Sequence, residues 1–283
     1  MDVTNVPPPG KRRWRPPPAN ARSWLLVPAS KPELFAEAAA SEADAVVLDL
    51  EDAVVPAAKP AAREAVARWV EAGNRTWVRI NDVTSAYWDE DVRLLASLPG
   101  IDGVVLAKTE NPAQVEATAA QLAAGTKIIA LLESARGIET AIEIADAAST
   151  FRLAFGSGDY RRDTGVADLA IAMAYPRSRL TIASRIAGLP GPIDGPSLDR
   201  AQDALAEAAQ STVHMGMTGK LCMHVDQVAV VNQNLAPSRN EIIWAQEVLE
   251  RLGPDGSGVE DGSDMPRLAR ARKIVDLSQT FSP

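Results

Sequence analysis

Eight short runs of strand-forming residues alternate with amphipathic helical patterns along this chain, and that alternation leaves few ways to fold. The runs cover residues 23–28, 45–50, 76–81, 103–108, 127–133, 152–156, 191–195 and 220–224. Many are continuous apolar stretches, such as Ile128-Ile129-Ala130-Leu131-Leu132, rather than alternating ones. Strands of that kind are covered on both faces, which is the property of a parallel sheet flanked by helices. Helical patterns at 32–41, 61–72, 89–97, 112–124, 137–148, 169–187, 198–215 and 226–234 supply the crossovers. Eight βα units predict an α/β fold, a (β/α)8 TIM barrel. The seventh run, Gly191-Pro192-Ile193-Asp194-Gly195, has the poorest strand propensity. A doubly wound sheet is the structural alternative. It lacks support, because no Gly-x-Gly-x-x-Gly follows the first run and Gly156-Ser157-Gly158 is half of such a motif after the sixth.

The alternation divides the chain into a proline-rich arm at 1–21, expected to be disordered, a barrel at 22–235, and a C-terminal helical extension at 236–283. The arm carries two proline triplets and no apolar core of a secretory signal. In the extension, helical patterns at 241–252 and 266–277 flank a Gly-, Asp- and Ser-rich stretch at 253–263. A flexible segment between two helices outside a finished barrel reads as a lid.

Chemistry in a TIM barrel sits where strands end at the C-terminal rim. Here those positions are charged or polar: Glu51 and Asp52 after the second run, Arg79 and Asn81 in the third, Lys108 after the fourth, Glu133 after the fifth, Asp159 after the sixth. Glu133 and Asp159 end consecutive strands and so are neighbours on one rim. Two acids with open positions between them suit a hard divalent cation such as Mg2+ that also holds a substrate oxygen. Glu51 and Asp52 then hydrogen-bond waters on the cation, and Arg79 offers a planar fork to a carboxylate. Lys108 is a candidate partner for a phosphate. A net charge of −8 argues against a nucleic-acid partner. One cysteine, Cys222, excludes an internal disulfide and makes a reduced, cytoplasmic setting the expectation. No apolar run reaches membrane-spanning length.

Several stretches together resemble the citrate lyase beta subunit and its relatives in the HpcH/HpaI aldolase family. They are Arg22-Ser23-Trp24-Leu25-Leu26-Val27-Pro28, Leu48-Asp49-Leu50-Glu51-Asp52-Ala53, Val78-Arg79-Ile80-Asn81, Leu132-Glu133-Ser134-Ala135-Arg136-Gly137, Phe155-Gly156-Ser157-Gly158-Asp159-Tyr160 and Val231-Asn232-Gln233-Asn234-Leu235. The resemblance implies a Mg2+-dependent lyase on a 3-hydroxy-acyl thioester of citryl, malyl or citramalyl type, carried on CoA or an acyl-carrier protein. The products would be an acyl-CoA and a keto acid such as oxaloacetate or glyoxylate. It implies Glu133 and Asp159 as metal ligands, Arg79 as the substrate-carboxylate arginine, and an acid from a C-terminal lid, often supplied by a neighbouring subunit, matched best by Asp264 with Asp261 behind it. It also implies a homo-oligomer, a trimer or a multiple. The alternatives are a malyl-CoA-type thioesterase or malate synthase-like activity, and a non-catalytic subunit that keeps the fold. Gly158 departs from the family pattern, which has a glutamate before the aspartate.

Overall fold

Eight parallel strands close into a barrel in the order β1-β2-β3-β4-β5-β6-β7-β8 in a computed structural model that describes residues 14–281. The strands are β1 Ser23–Pro28, β2 Ala45–Asp49, β3 Thr76–Ile80, β4 Ile101–Leu106, β5 Ile128–Leu132, β6 Thr150–Phe155, β7 Ile193–Asp194 and β8 Gly219–Cys222. Pairing of β8 with β1 completes the circle and rules out the open, doubly wound sheet. The proline-bound seventh run contributes only two strand residues, as its composition demands.

The helices are α1 Phe35–Ala40, α2 Lys59–Glu71, α3 Trp88–Ser97, α4 Pro112–Gln121, α5 Ala135–Glu139, α6 Ala141–Asp146, α7 Ser157–Thr164, α8 Ala170–Ile186, α9 Gln202–His214, α10 Val225–Leu235, α11 Arg239–Leu252 and α12 Asp264–Phe281. The single helix expected at 137–148 is broken at Thr140, whose hydroxyl donates to Glu110 O at 2.6 Å and Arg136 O at 2.9 Å. Helix α7 has no counterpart in the sequence pattern, because Tyr160 is its one buried residue. Among the described residues no helix is long and apolar enough to cross a membrane.

Strand parity separates two apolar layers. Trp24, Leu26, Val47, Trp77, Val105, Ile129, Leu131, Ala154, Ile193 and Leu221 pack with one another inside the barrel. Their neighbours in sequence, such as Leu25, Val46, Leu48, Val78 and Leu132, pack outward against helix residues such as Val66, Trp69, Val92 and Ile144. The floor of the interior is polar in an unusual way. Arg152, on β6, is fully buried, and its guanidinium donates to Gly191 O at 2.7 Å, Ala21 O at 3.1 Å, Pro18 O at 3.2 Å and Thr218 Oγ1 at 2.9 Å. It also lies 5.5 Å from the Trp24 ring. The arm expected over 1–21 falls outside the described residues as far as residue 13; Pro18–Asn20 forms a short 3-10 turn whose carbonyl end Arg152 holds.

A second buried polar group joins β7 to the outer helices. Asp194 accepts from Arg177 Nε at 2.8 Å, Thr212 Oγ1 at 2.7 Å and Lys220 Nζ at 3.1 Å. Burial alone would raise its pKa, but Lys220 and Arg177 outweigh that and hold the carboxylate below its ordinary range. A folded-state pKa below the unfolded value of about 3.9 contributes stability that is present above that pH and lost as pH falls through the folded value. We therefore expect Asp194→Asn to lower unfolding free energy by about 3 kcal/mol at pH 7, because Lys220 is left buried without its acid. Urea denaturation at pH 7 and below pH 4 should show the difference between variant and wild type narrowing as the wild-type carboxylate is protonated.

Helices α11 and α12 keep a small core of their own, built from Ala245, Val248, Leu252, Leu268, Ala271 and Ile274. The end of α12 is tied to the foot of β1: the Arg22 guanidinium lies 4.0 Å from the Phe281 ring centre while it pairs with Asp44.

Candidate active site

The same parity that fills the barrel interior carries polar side chains to its mouth. Asp49 continues the inward set of Ala45 and Val47, Arg79 that of Trp77, and Glu133 that of Ile129 and Leu131. Asp49 and Arg79 are register partners. The Arg79 fork closes on Asp49, with Nε to Oδ1 at 2.7 Å and Nη2 to Oδ2 at 2.6 Å. One edge of the fork expected to face a substrate carboxylate is thus occupied within the protein. The remaining Nη1 lies 3.4 Å from Glu51 Oε2. Although burial opposes it, the charge and hydrogen bonds of Asp49 raise the Arg79 pKa, so this cation is permanent.

Glu133 is buried, and its Oε1 accepts the Lys108 backbone N–H at 2.8 Å. Burial lifts its pKa to about 8; Glu51 and Asp159 add to the rise, and Arg79 and the Lys108 N–H oppose it. Its place depends on β6. Gly156 donates to Leu132 O at 3.0 Å, and a Cβ there would lie 2.2 Å from Glu133 Oε2 and 2.4 Å from Glu133 Cβ. Only glycine fits beside this glutamate.

Asp159 lies in the first turn of α7, where the helix dipole favours an acid. The sequence pattern predicted a strand end, whereas the helix starts two residues before it. Asp159 is brought together with Glu51 and Asp52: one donor oxygen from each of the three lies within 4.8 Å of the others. Glu133 is outside this group of three and is joined to it through Lys108, whose backbone serves Glu133 and whose ammonium serves the others. A Cβ at Gly158 would have no heavy atom within 4 Å, so the acid that the family pattern places there would meet open space.

The loop carrying Glu51 and Asp52 is pinned from beneath. Asp49 Oδ1 accepts the Glu51 N–H at 2.9 Å. Lys59, buried at the start of α2, donates to Leu50 O at 2.7 Å, Glu51 O at 3.1 Å and Asn81 Oδ1 at 2.8 Å. Asn81 in turn donates to Leu50 O and to Asp91, and Asp91 pairs with Arg63 at 2.7 Å. Asn81 is therefore a strut between β2 and β3. Lys108 does not turn outward to meet a phosphate; its ammonium bonds Glu51 and lies 3.2 Å from Asp52 and 3.8 Å from Asp159.

Asp264 is not brought to the mouth by its own chain. It is buried at the start of α12, where Oδ1 accepts from Arg251 Nη2 at 2.8 Å and Oδ2 from the Glu260 N–H at 3.2 Å. The Arg251 hydrogen bond holds its pKa below the ordinary range. Asp261, three residues earlier, is exposed. Cys222 is buried behind the barrel wall, and burial pushes its thiol up to about 12, which removes it as a nucleophile.

The mouth thus gathers Asp49, Glu51, Asp52, Glu133 and Asp159 around Arg79 and Lys108. It offers a surplus of carboxylate oxygens, with neither thiolate nor imidazole among these groups. That donor set fits a hard divalent cation.

The sequence model of the HpcH/HpaI aldolase/citrate lyase family matches residues 22–225. The chain belongs to this family. The HpcH/HpaI aldolase C-terminal domain matches residues 240–282, which covers α11 and nearly all the rest of the chain. A citrate lyase subunit beta-like protein of Mycobacterium tuberculosis is 36% identical over 237 residues, covering 80% of this chain and 83% of that protein. An L-malyl-CoA/beta-methylmalyl-CoA lyase of Rhodobacter capsulatus is 31% identical over 285 residues, covering 86% and 89%. The crystal structure of protein CitE from Mycobacterium tuberculosis in complex with magnesium, acetoacetate and coenzyme A superposes with a TM-score of 0.77. It is 32% identical and covers 92% of this chain and 99% of that one. These HpcH/HpaI relatives agree with the expected family, the barrel and the expectation of a lyase.

Asp49, Lys59, Asp91 and Gly156 were not singled out by the sequence pattern. Counting in twos from Val47 would have placed Asp49 inward beside Arg79. Lys59 and Asp91 lie on helices and carry no such signal.

Proposed function

We propose that this protein is a Mg2+-dependent carbon–carbon lyase acting on a 3-hydroxy-acyl-CoA of the citryl, malyl or citramalyl type, with acyl-CoA and a short keto acid as products. One observation carries this reading: an oxygen-only cluster of acids at the mouth of the barrel, set beside an arginine that is oriented by its own aspartate. The names of the malyl-CoA lyase and of the CitE complex with magnesium, acetoacetate and coenzyme A support the class of substrate and metal.

In this reading Glu133 and Asp159 hold Mg2+, and Glu51 and Asp52 hold the waters around it. Bound Mg2+ supplies a Lewis acid that draws electron density from the oxygen on the carbon beside the carboxylate. Arg79 binds that carboxylate through the part of its guanidinium not engaged by Asp49, and Asp49 keeps the plane of the group fixed. Lys59 and Asn81 keep the Glu51 loop from moving as charge develops. Loss of the substrate hydroxyl proton to solvent lets that O–H electron pair form the keto group as the carbon–carbon bond breaks, and the thioester fragment leaves as an enolate that needs a proton. We assign that proton to the 261–264 segment. Asp261 is exposed there, whereas Asp264 can serve only after its contact with Arg251 opens.

Incubation of the purified protein and Mg2+ with citryl-, malyl- and citramalyl-CoA tests the assignment, with acyl-CoA followed by chromatography and keto acid as its hydrazone. The expected result is equimolar keto acid and acyl-CoA from at least one substrate, stopped by a chelator. Free malate or citramalate with CoA and no keto acid would make the protein a thioesterase. No product from any of the three would favour a subunit that has kept the fold alone.

A further inference from the structure

Lys108 is the residue at which the acids of the mouth meet. Its backbone N–H donates to Glu133 Oε1 at 2.8 Å, its ammonium bonds Glu51, and the same nitrogen lies 3.2 Å from Asp52 and 3.8 Å from Asp159. It is also the one non-glycine residue with positive φ among the described residues, at 48°. A lysine rarely adopts that left-handed conformation, and such strain persists where the surroundings impose it. Here the turn after β4 lets one residue serve Glu133 with its backbone and the opposite acids with its side chain. Its ammonium is an ordinary lysine cation paired with carboxylates.

Resting on the lyase reading above, we propose that Lys108 is a resident counter-cation that competes with the divalent metal. In the metal-free protein its ammonium lies among the carboxylates that would otherwise repel one another. Metal entry withdraws Asp159 from its reach, and the ammonium remains with Glu51 and Asp52 beside a dication. Binding is therefore an exchange of one cation for another, weaker than the acids alone would give. A flexible four-carbon stem and a compact charge suit a group that must shift without leaving.

The competing possibility, that Lys108 is only a prop for the ligands, predicts the opposite sign for its removal. The test is titration calorimetry with Mg2+ alone on Lys108→Met, Lys108→Asn and Lys108→Arg, with thermal unfolding of the same proteins in chelator. Methionine keeps the length without the charge; asparagine removes the charge and tolerates the left-handed backbone, which guards against a folding failure in the first variant. Both uncharged variants should bind Mg2+ at least about tenfold more tightly, because a cation beside the dication is gone. Both should unfold at lower temperature in chelator and regain much of the loss when Mg2+ is added. Lys108→Arg should stay near the wild type on both counts. If the wild type binds Mg2+ and neither uncharged variant binds it more tightly, the competition is overturned and the lyase reading stands. If the wild type takes up no Mg2+ at millimolar concentration, the metal assignment itself fails and the inference falls with it.

Discussion

Glu133→Gln is expected to lower kcat/KM by at least about 1,000-fold, equivalent to about 4 kcal/mol of lost transition-state stabilisation. The substitution keeps the volume beside Gly156 and leaves an oxygen able to accept the Lys108 N–H. What it removes is the charge that would bind Mg2+. Stability should move the other way. Glu133 is a buried carboxylate with Glu51 and Asp159 as like-charged neighbours, so its ionised form is destabilising in the metal-free protein. In chelator the variant should unfold at the same temperature as the wild type or above it, in keeping with sites that hold unfavourable charge for the sake of activity. Steady-state kinetics with saturating Mg2+, paired with calorimetric scans in chelator, measure both halves. Undiminished turnover in the variant would remove Glu133 from the site altogether.

Gly156→Ala should cost at least about 100-fold in kcat/KM, although residue 156 carries no chemical group. The added methyl would lie 2.2 Å from Glu133 Oε2 and 2.4 Å from its Cβ. Rotation of the glutamate relieves the first clash but not the second, because Cβ is fixed to the end of β5. Either the strand end or the start of α7 must shift, and α7 carries Asp159. Both proposed ligands are then displaced by one substitution, at a stability cost of about 1–3 kcal/mol from overpacking. Gly158→Ala is the matched control. It lies two residues along, inside α7 and in open space, and alanine there should stabilise by about 0.5–1 kcal/mol by favouring the helix. Similar losses in the two variants would show that the site tolerates no substitution in this turn, and that the Glu133 contact is not the cause.

Much of the candidate site was legible because barrel strands end in a predictable place. Glu51, Asp52, Arg79, Glu133 and Asp159 all lie at the mouth, as their positions after apolar runs required. Their pairings were not legible. Arg79 was expected to be open to substrate, but its register partner Asp49 takes one edge of the fork. Lys108 was expected to reach a phosphate, but the left-handed turn after β4 sends it to the acids. Asp264 was expected as the lid acid; within its own chain Arg251 and the Glu260 N–H engage it. Asp49 and Arg251, which decide the first and the last of these, lie on a different strand or helix from the residue they engage, and nothing local in the chain announces them. Helix α7 escaped notice for a related reason: Ser157-Gly158-Asp159-Tyr160-Arg161-Arg162-Asp163-Thr164 has no apolar stripe of its own, and the helix is anchored by Tyr160 against Phe155.

The chain by itself determined the barrel, because eight apolar runs separated by amphipathic helices can be covered on both faces in few arrangements. It also determined which charged groups stand at strand ends, since that follows from position along each run. The tertiary structure alone decided which charge meets which. The parity of β2 and β3 sets Asp49 against Arg79, the absent side chain of Gly156 makes room for Glu133, and one strained residue brings a cation into the middle of the acids. Those contacts depend on distances of a few ångströms between segments far apart in sequence, where a methyl group or a reversed φ changes the outcome.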